Sequence, residues 1–430
     1  MADREKTTID KAWEILFEKY DIIPKVFKNG SFQIKASQIN EVKEARLMAK
    51  FDQSSQLPTI FKQNNFSILP ISRGEYIIGN FTIYEKLEYQ KIKPEKVHIP
   101  HLETLDHTNL YSEASALLFA YNSGIIHNVV NSKNICFTVN GRMSSGCFDY
   151  FISNNGTTQK ISIQNAQVEI DGGYEFDNGF CIIEAKNIAA EELLIRQLYY
   201  PYRLWTDKIS KPVIPLLLIY SNDIFHFFQY QFTDIHNYNS LKLEAYKSYT
   251  FADETITLED IIEIWKSTVI FNEPKVTFPQ ADKFNRIIDL LSVLYDHELT
   301  RDEVTLSYEF DSRQTSYYIS ACDYLGFIER ININGERYYK LSIEAKTIMS
   351  LRYKQKYIAI IRTIFERPVF HKAFGIIIQS HRIPNRHEIY SIMTESKLEI
   401  NPTTIERRAS SVRGWIAWIL RLANSEGFEG

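Results

Sequence analysis

The sequence lacks the features that mark membrane and secreted proteins. No apolar run reaches the ~20 residues of a membrane helix; the longest, VIPLLLIY, spans 213–220 and suits one buried strand. The opening residues, MADREKTTID, are charged, so we expect no signal peptide. The four cysteines form no CxxC pair, which is typical of reduced core thiols rather than of a disulfide scaffold or zinc module. We therefore expect a cytoplasmic protein without a membrane partner.

The signatures of several large enzyme classes are also absent. The sequence contains no GxxxxGK[ST] loop, no GxGxxG after a strand, no HExxH and no GxSxG. These absences argue against P-loop ATPases, dinucleotide-binding enzymes, zinc proteases and α/β-hydrolases. An enzyme built on this chain is expected to work without ATP.

The net charge of the chain is small, but the charged residues are unevenly distributed. The 430 residues carry a net charge of −4, and this length predicts two or three domains. Residues 345–424 nevertheless contain 14 Lys and Arg against five Asp and Glu. Such a basic module favours a polyanionic partner, although a basic face can also be merely solvated.

The pattern of elements predicts four regions. Helical periodicity at 8–22 and 39–52 and a hairpin at 66–81 predict an α+β region. An apolar helix at 111–126 precedes short strands, one of them KISIQNAQVEID at 160–171; a helix at 189–200 that stops at Pro201, and the strand at 213–220, follow. This order favours a mixed α/β core over a sandwich. The expected regions are an N-terminal α+β domain at 1–95, the α/β core at 96–275, a winged helix-turn-helix at 276–350, and a second winged-helix-like basic domain at 351–430.

One stretch of the core, VEIDGGYEFDNGFCIIEAKN at 168–187, carries charges where burial is expected. Alternation along a strand directs Glu184 and Lys186 to one face of the apolar run GFCIIEAKN. The intervening GGYEFDNG can form a turn that brings Asp171 beside them. Unpaired ionisable groups are costly inside a protein. The pattern therefore predicts a functional cluster at one end of a sheet.

The chemistry that this cluster favours is phosphodiester hydrolysis. Two carboxylates can hold Mg²⁺, which acidifies bound water and neutralises charge on a phosphate. Lys186 could hold or help deprotonate the attacking water. An acid followed by ExK also arises by chance, so the buried context of the motif carries the argument.

Asp171 followed by Glu184-Ala185-Lys186, between helices, resembles the PD-(D/E)XK nuclease superfamily, in particular type II restriction endonucleases. The resemblance covers about 110–220. It implies a mixed sheet flanked by helices, Mg²⁺ bound by Asp171 and Glu184, Lys186 serving the water, and Glu113 as a further acid. Ile170 stands where the family motif has proline, and Glu169 or Glu175 could replace Asp171 if the alignment shifts.

Further residues of the core could contact DNA. Arg196 and Arg203, seven positions apart, share one face of a helix that also carries Gln197. That face could meet a DNA backbone, or it could be a solvated basic face over a tyrosine-rich core. Arg142 could touch a phosphate or be a plain turn residue.

The stretch RQTSYYISACDYLGFIERININGERYYKLS, 313–342, resembles the recognition helix and wing of winged-helix DNA-binding domains, which also serve as protein-interaction modules. An Asn-Gly hairpin forms the expected wing. TTIERRASSVRGWIAWIL, 403–420, resembles a second such helix, with Trp415 and Trp418 expected in its core. The expected DNA contacts are Arg313, Gln314, Thr315, Ser316, Tyr317, Arg337, Thr404, Arg407, Arg408, Ser411 and Arg413.

Three hypotheses remain from the sequence. The first is a type II restriction endonuclease that uses Mg²⁺ to cut double-stranded DNA site-specifically, leaving 5′-phosphates. Two cuts in a duplex favour a homodimer, and the resemblance implies a cognate DNA methyltransferase. The alternatives are a structure-specific DNA repair nuclease and a non-catalytic winged-helix regulator. Glu184 and Lys186 favour an enzyme.

Overall fold

A computed structural model describes residues 8–100, 102–108, 110, 112–251, 255–307, 312–396, 398 and 402–423. These residues form a mixed α/β structure with several buried apolar cores, which confirms the expected mixture of helices and strands. No helix within these ranges combines the length and apolar character that crossing a bilayer requires.

The N-terminal region packs short helices on a three-stranded antiparallel sheet in the order β1-β3-β2. The expected hairpin at 66–81 is present, but within the range 39–52, where one helix was expected, only Ile39 at the end of α3 and the short helix α4 (Ala45–Met48) are helical. The Asn40 side chain accepts a hydrogen bond from the Ala45 backbone N–H (2.7 Å), which favours a turn between them. The elements are α1 (Thr8–Lys19), α2 (Ile22–Asn29), β1 (Ser31–Lys35), α3 (Ala36–Ile39), α4 (Ala45–Met48), a 3-10 turn (Ser54–Gln56), α5 (Thr59–Asn64), β2 (Ser67–Pro70), β3 (Glu75–Gly79), β4 (Tyr84–Lys86) and β5 (Glu95–Lys96).

The central region is built on a seven-stranded mixed sheet in the order β5-β14-β13-β12-β10-β9-β6. Strand β10 pairs antiparallel with β9 and parallel with β12, and helix α8 makes the crossover between β10 and β12. The elements are α6 (Glu113–Asn122), α7 (Ile125–Val130), β6 (Ile135–Ser144), β7 (Cys147–Asn154), β8 (Thr157–Gln164), β9 (Gln167–Phe176), β10 (Gly179–Lys186), β11 (Glu192–Leu194), α8 (Arg196–Thr206), β12 (Val213–Ser221), β13 (Ile224–Phe232), β14 (Leu241–Thr250) and α9 (Leu258–Ser267).

Two expectations for this region are wrong in detail. The single strand expected at 160–171 is split at Asn165, whose φ of 52° turns the chain; β8 pairs with β7 in a separate hairpin, while β9 joins the central sheet. The helix expected to stop at Pro201 begins at Arg196 and continues to Thr206. Pro201 is only the sixth helical residue, so it removes a single helix hydrogen bond near the N-terminus.

The C-terminal region opens with three helices and a short sheet in the order β15-β17-β16. Helices alone occupy the described residues from 351 to 423, so the second wing expected there is absent from this part of the chain. Phe284 packs on Trp415 and Trp418, with ring centroids 4.9 and 4.2 Å apart, so the regions expected at 276–350 and 351–430 share one core. The elements are α10 (Phe284–Val293), β15 (Leu299–Thr300), α11 (Arg301–Ser307), α12 (Ser312–Leu325), β16 (Ile328–Ile333), β17 (Glu336–Leu341), α13 (Ile343–Met349), α14 (Tyr353–Phe365), α15 (Pro368–Ser380), α16 (Arg386–Glu395) and α17 (Pro402–Leu422).

Candidate active site

Strand β10 delivers the charged pair to the sheet from an otherwise apolar, buried strand. Its antiparallel register with β9 runs to Ile183 opposite Gly172, and the next step places Asp171 opposite Glu184. Gly172 is required for close packing, because a Cβ there would lie 2.7 Å from the Tyr174 ring. The turn expected over residues 172–179 is shorter than predicted, because β9 continues to Phe176 and only Asp177 and Asn178 lie between the strands. The pairing of β9 with β10 nevertheless brings the acids together as the sequence predicts.

Three contacts fix the acidic side chains. The Ala185 backbone N–H donates to Asp171 Oδ2 at 2.8 Å. Glu184 Oε1 lies 3.1 Å from Lys186 Nζ and accepts a hydrogen bond from Gln197 Nε2 at 2.6 Å. The side chains of Glu184 and Lys186 are only 10% and 13% exposed, so the pair is held largely out of water.

Burial dominates the electrostatics of the cluster. Desolvation raises the pKa of Glu184 well above its ordinary value; Lys186 opposes that rise, whereas the charges of Asp171 and Glu113 add to it. Desolvation also raises the pKa of Asp171, against the Ala185 hydrogen bond and the charge of Lys186. Several acids therefore share one lysine in a poorly solvated place, an environment that favours a bound cation.

Glu113 belongs to the same cluster. It is the first residue of α6, after the N-cap Ser112, and its charge acts on Glu184. The alternative acids take part in ion pairs instead: Glu169 with Arg142 (3.2 Å) and Glu175 with Lys211 (2.8 Å). The geometry thus brings Glu113, Asp171, Glu184 and Lys186 together.

The cluster fits a hard cation with mostly water ligands. Within the described ranges, no set of three His, Cys, Asp or Glu side chains forms a ready metal site. Mg²⁺ needs only one or two protein carboxylates. Asp171 Oδ2 accepts from the Ala185 N–H, and Glu184 Oε1 contacts Lys186 and Gln197, so both carboxylates are held at the place where a cation would bind.

The candidate DNA contacts of the core divide into buried and accessible groups. Arg203 is buried and donates to the backbone carbonyls of Asp149 (2.8 Å) and Ile235 (3.2 Å). Its expected role on DNA is therefore wrong, because the guanidinium is committed to the interior. Arg142 is exposed and paired with Glu169, and Arg196 lies over the Tyr200 ring at 5.9 Å. Gln197 faces Glu184 rather than solvent.

Helix α12 presents some of the expected residues and buries one. Arg313 and Gln314 are exposed, Ser316 and Tyr317 are half-buried, and the Arg313 guanidinium donates to the Tyr317 hydroxyl. Thr315 is fully buried, with Oγ1 2.9 Å from Thr305 Oγ1 in the preceding helix α11. Its expected DNA contact is therefore wrong, because it joins two helices. The sequence offers Asp311 or Ser312 as the cap of this helix, and Asp311 lies outside the described residues.

Helix α17 divides in the same way. Arg407 is exposed, whereas Thr404, Arg408 and Arg413 are half-buried. Burial lowers the pKa of Arg408, and its Nε and Nη1 have no hydrogen-bond partner among the described residues. Ser411 is fully buried, so the expectation that it contacts DNA is wrong. Trp415 and Trp418 are in the core, as expected.

Helices α12 and α17 meet at one cavity of about 710 Å³. Gln314 and Tyr317 line it from α12, and Arg407 and Ser410 line it from α17. A second cavity of about 650 Å³ separates α12 from the β16–β17 hairpin. Its lining includes Ser316 and the expected contact Arg337, together with Arg301 and Arg330.

Sequence reasoning missed some of these residues. Arg386 is the first residue of α16 and lines the first cavity. Asn385 caps this helix, so the sequence did contain a signal for where the helix begins. Arg301 and Arg330 have no comparable local signal. They reach the second cavity because β15, β16 and β17 pair there.

Comparison with known proteins finds three family matches, each described as a domain of unknown function. DUF6996 matches residues 10–78, DUF6997 matches 79–250, and DUF7226 matches 286–424. No curated protein and no solved structure matches the chain. One family thus spans both expected C-terminal regions, in line with their common core, and another contains the whole Asp171–Lys186 cluster.

Proposed function

We propose that this protein is a type II restriction endonuclease that hydrolyses double-stranded DNA at specific sites and leaves 5′-phosphates. The observation that carries the proposal is the buried Glu184–Lys186 pair opposite Asp171, braced by Gln197. A buried charged pair is an inefficient way to stabilise a fold. Perturbed ionisable groups of this kind concentrate at functional sites.

The topology supports the same reading. Helix α6, the antiparallel strands β6, β9 and β10, the crossover helix α8 and the parallel strand β12 follow one another around the cluster. This is the arrangement expected of a PD-(D/E)XK nuclease core. The helices α10, α11 and α12 with the β16–β17 hairpin are likewise in the order of a winged helix.

The side chains have distinct roles in the proposed reaction. Mg²⁺, held by Asp171 and Glu184, would lower the pKa of bound water and neutralise charge developing on the phosphate. The Lys186 ammonium orients the attacking water and stabilises the phosphate oxygens. Gln197 and the Ala185 N–H hold the two carboxylates in position through the bonds to Glu184 and Asp171.

DNA recognition is assigned to the surface where α12 and α17 meet. Gln314 pairs well with adenine and arginine with guanine in a major groove, and Arg407 faces the same cavity as Gln314. Two cuts in a duplex usually need two active sites, so we propose a homodimer. A cognate methyltransferase that protects the host sites belongs to the same proposal.

The test is cleavage of unmethylated and methylated plasmid and phage DNA by the purified protein with Mg²⁺ or with EDTA. Discrete fragments that need Mg²⁺ and carry 5′-phosphates are expected. Lys186→Ala should abolish them. Lys160→Ala, at an exposed surface pair with Asp149, is the matched control and should cut normally.

Other outcomes separate the alternatives. Cutting confined to branched or damaged DNA would support a repair nuclease instead. Intact DNA on all templates, with sequence-specific gel shifts retained by wild type and Lys186→Ala alike, would replace the proposal with a regulator.

A further inference from the structure

A separate cavity of about 740 Å³ lies between the central sheet and the C-terminal helices. The sheet contributes Ser221, Asn222 and His226, and the helices contribute Arg286 and Trp418. Its volume is within the range of about 300–1,000 Å³ that small-molecule sites occupy. The residues proposed for DNA cleavage and recognition do not line it.

The lining is strongly cationic in a chain whose net charge is −4. Six cationic side chains face a single carboxylate, Glu191, among the described lining residues. Lys283 and Arg286 pair with Glu191. The other four form no salt bridge with any residue in the described part of the chain: Lys86, Lys93, Lys96 and Arg421.

Arg421 is the most informative of these cations. Burial lowers the pKa of its guanidinium, although the residue as a whole is exposed to water. A guanidinium that lines a concave site and forms no salt bridge among the described residues is a suitable partner for an anionic ligand, which it can bind through charge-assisted hydrogen bonds.

The other lining side chains suit an aromatic group. The Tyr89 ring is 39% exposed, yet it lies within the cavity; its hydroxyl donates to the Ala190 carbonyl (2.8 Å). The His226 ring contacts it edge-on at 5.1 Å, and burial lowers the pKa of His226 to about 4, so the imidazole is neutral. A tyrosine face beside a neutral ring is a stacking surface for a base.

We propose that this cavity binds a nucleoside phosphate, with the phosphate on Arg421 and Lys96 and the base against Tyr89. The same chemistry is available from a free nucleotide and from the phosphorylated end of a nucleic acid strand. The site is independent of the proposed cleavage reaction. A bound ligand contacts both the sheet and α17, so it stabilises their association.

The experiment is titration calorimetry in EDTA on full-length protein carrying Lys186→Ala. Each of the four 5′-monophosphates is compared with adenosine alone and with inorganic phosphate alone, and a 5′-phosphorylated oligonucleotide is compared with its unphosphorylated form. We expect one site that binds nucleotides at least about tenfold more tightly than it binds adenosine or inorganic phosphate alone. Preference for the oligonucleotide or for the free nucleotide identifies the source.

Variants assign the binding to the cavity. Arg421→Ala and Lys96→Ala should each weaken nucleotide binding by about tenfold, the loss typical of one charge-assisted hydrogen bond. Lys91→Ala, on the exposed chain nearby, should leave it unchanged, and a photoreactive nucleotide should label peptides containing Tyr89 or Trp418. Nucleotide binding no tighter than that of phosphate, or insensitive to both cavity variants, would overturn the proposal.

Discussion

At the scale of single residues, the candidate site depends on groups that hold its carboxylates still. Glu184 receives both Lys186 and Gln197 on one oxygen, so its position is set before any ligand arrives. Mutation of residues that hold metal ligands in place commonly lowers metal affinity or activity by about 10- to 100-fold.

Gln197→Ala tests that arrangement. Loss of the 2.6 Å hydrogen bond to Glu184 should lower the cleavage rate at limiting Mg²⁺ by about 10- to 100-fold. DNA affinity in a gel shift with EDTA should not change. Gln229→Ala removes a similar Gln–Glu pair, with Glu244, between strands β13 and β14 of the same sheet and should leave the rate at the wild-type level. Equal losses in both variants would contradict a positioning role.

Arg203→Met tests whether Arg203 stabilises the fold, which is the role that its buried hydrogen bonds indicate in place of the expected DNA contact. The side chain donates to two backbone carbonyls and lies 4.7 Å over the Phe148 ring. Its loss should lower the free energy of unfolding by about 2–4 kcal/mol, because the buried side chain contributes packing and its hydrogen bonds to the carbonyls of Asp149 and Ile235 are lost. Chemical denaturation measures this, with the exposed Arg142→Met expected within about 0.5 kcal/mol of wild type. Equal stability of the two variants would contradict the structural role.

Local sequence patterns were sufficient to predict that Asp171, Glu184 and Lys186 lie close together. Alternation along the strand predicted the face of the last two, and the short separation in sequence predicted that the first returns beside them. The turn itself is only Asp177 and Asn178, because Gly172–Phe176 extend β9. The role of Gln197 could not be predicted in this way, because it depends on how the crossover helix α8 packs on β10. Thr315 and Ser411 are polar residues at helical positions, and only the packing of neighbouring helices decided that they are buried.

At the scale of elements, α12 and α17 form one surface rather than two. Hairpins and helices were predictable from Asn-Gly, apolar periodicity and caps, including the β16–β17 turn. The common core was not predictable, because Phe284 and Trp415 are far apart in sequence and the apolar pattern around each one also fits the core of a separate small domain.

A double-mutant cycle on Gln314→Ala and Arg407→Ala tests the shared surface. Each change should weaken binding to the specific site by about 1–3 kcal/mol, measured by gel shift at fixed salt. Because both residues line one cavity, the losses should deviate from additivity by at least about 0.5 kcal/mol. Strict additivity would indicate that the two helices contact DNA separately.

Gly414→Ala tests the packing of α17. An added Cβ would lie 2.1 Å from the Asp282 carbonyl oxygen, beside the hydrogen bond from Trp415 Nε1 to the Ala281 carbonyl (2.7 Å). Helix propensity alone should stabilise this variant by up to about 1 kcal/mol. We expect instead a net loss of about 1–3 kcal/mol in denaturant unfolding, since the backbones must separate. A gain in stability would show that the backbones of Gly414 and Asp282 are further apart than this.

At the scale of the whole molecule, a buried acid connects the C-terminal helices to the sheet. Asp289 of α10 accepts hydrogen bonds from the Ala189 N–H (3.0 Å) and from Ser221 Oγ (2.9 Å). Burial raises the pKa of Asp289 to about 7 from an ordinary 3.8. No local pattern could have predicted this junction, because its partners are 68 and 100 positions away along the chain.

The junction makes stability depend on pH. A raised pKa means that the folded state retains a proton that the unfolded state releases. The contribution of Asp289 is therefore full below pH 3.8 and is lost as the pH rises through about 7. In the wild type the free energy of unfolding should fall by up to about 4 kcal/mol between pH 3.8 and about pH 7. Asp289→Asn should remove this fall. Melting temperatures at pH 5 and pH 8 measure the difference, and equal slopes for wild type and variant would contradict it.

The common core of the C-terminal region also sets an order of events during synthesis. The strands of the central sheet from β6 to β14 are contiguous in the chain, so they can pair while later residues are still being translated. The C-terminal core requires Trp415 and Trp418 of α17, and it cannot close until residues 402–422 have left the ribosome. The nascent chain therefore completes the sheet that bears Glu184 and Lys186 before it can assemble the arginine-lined surface.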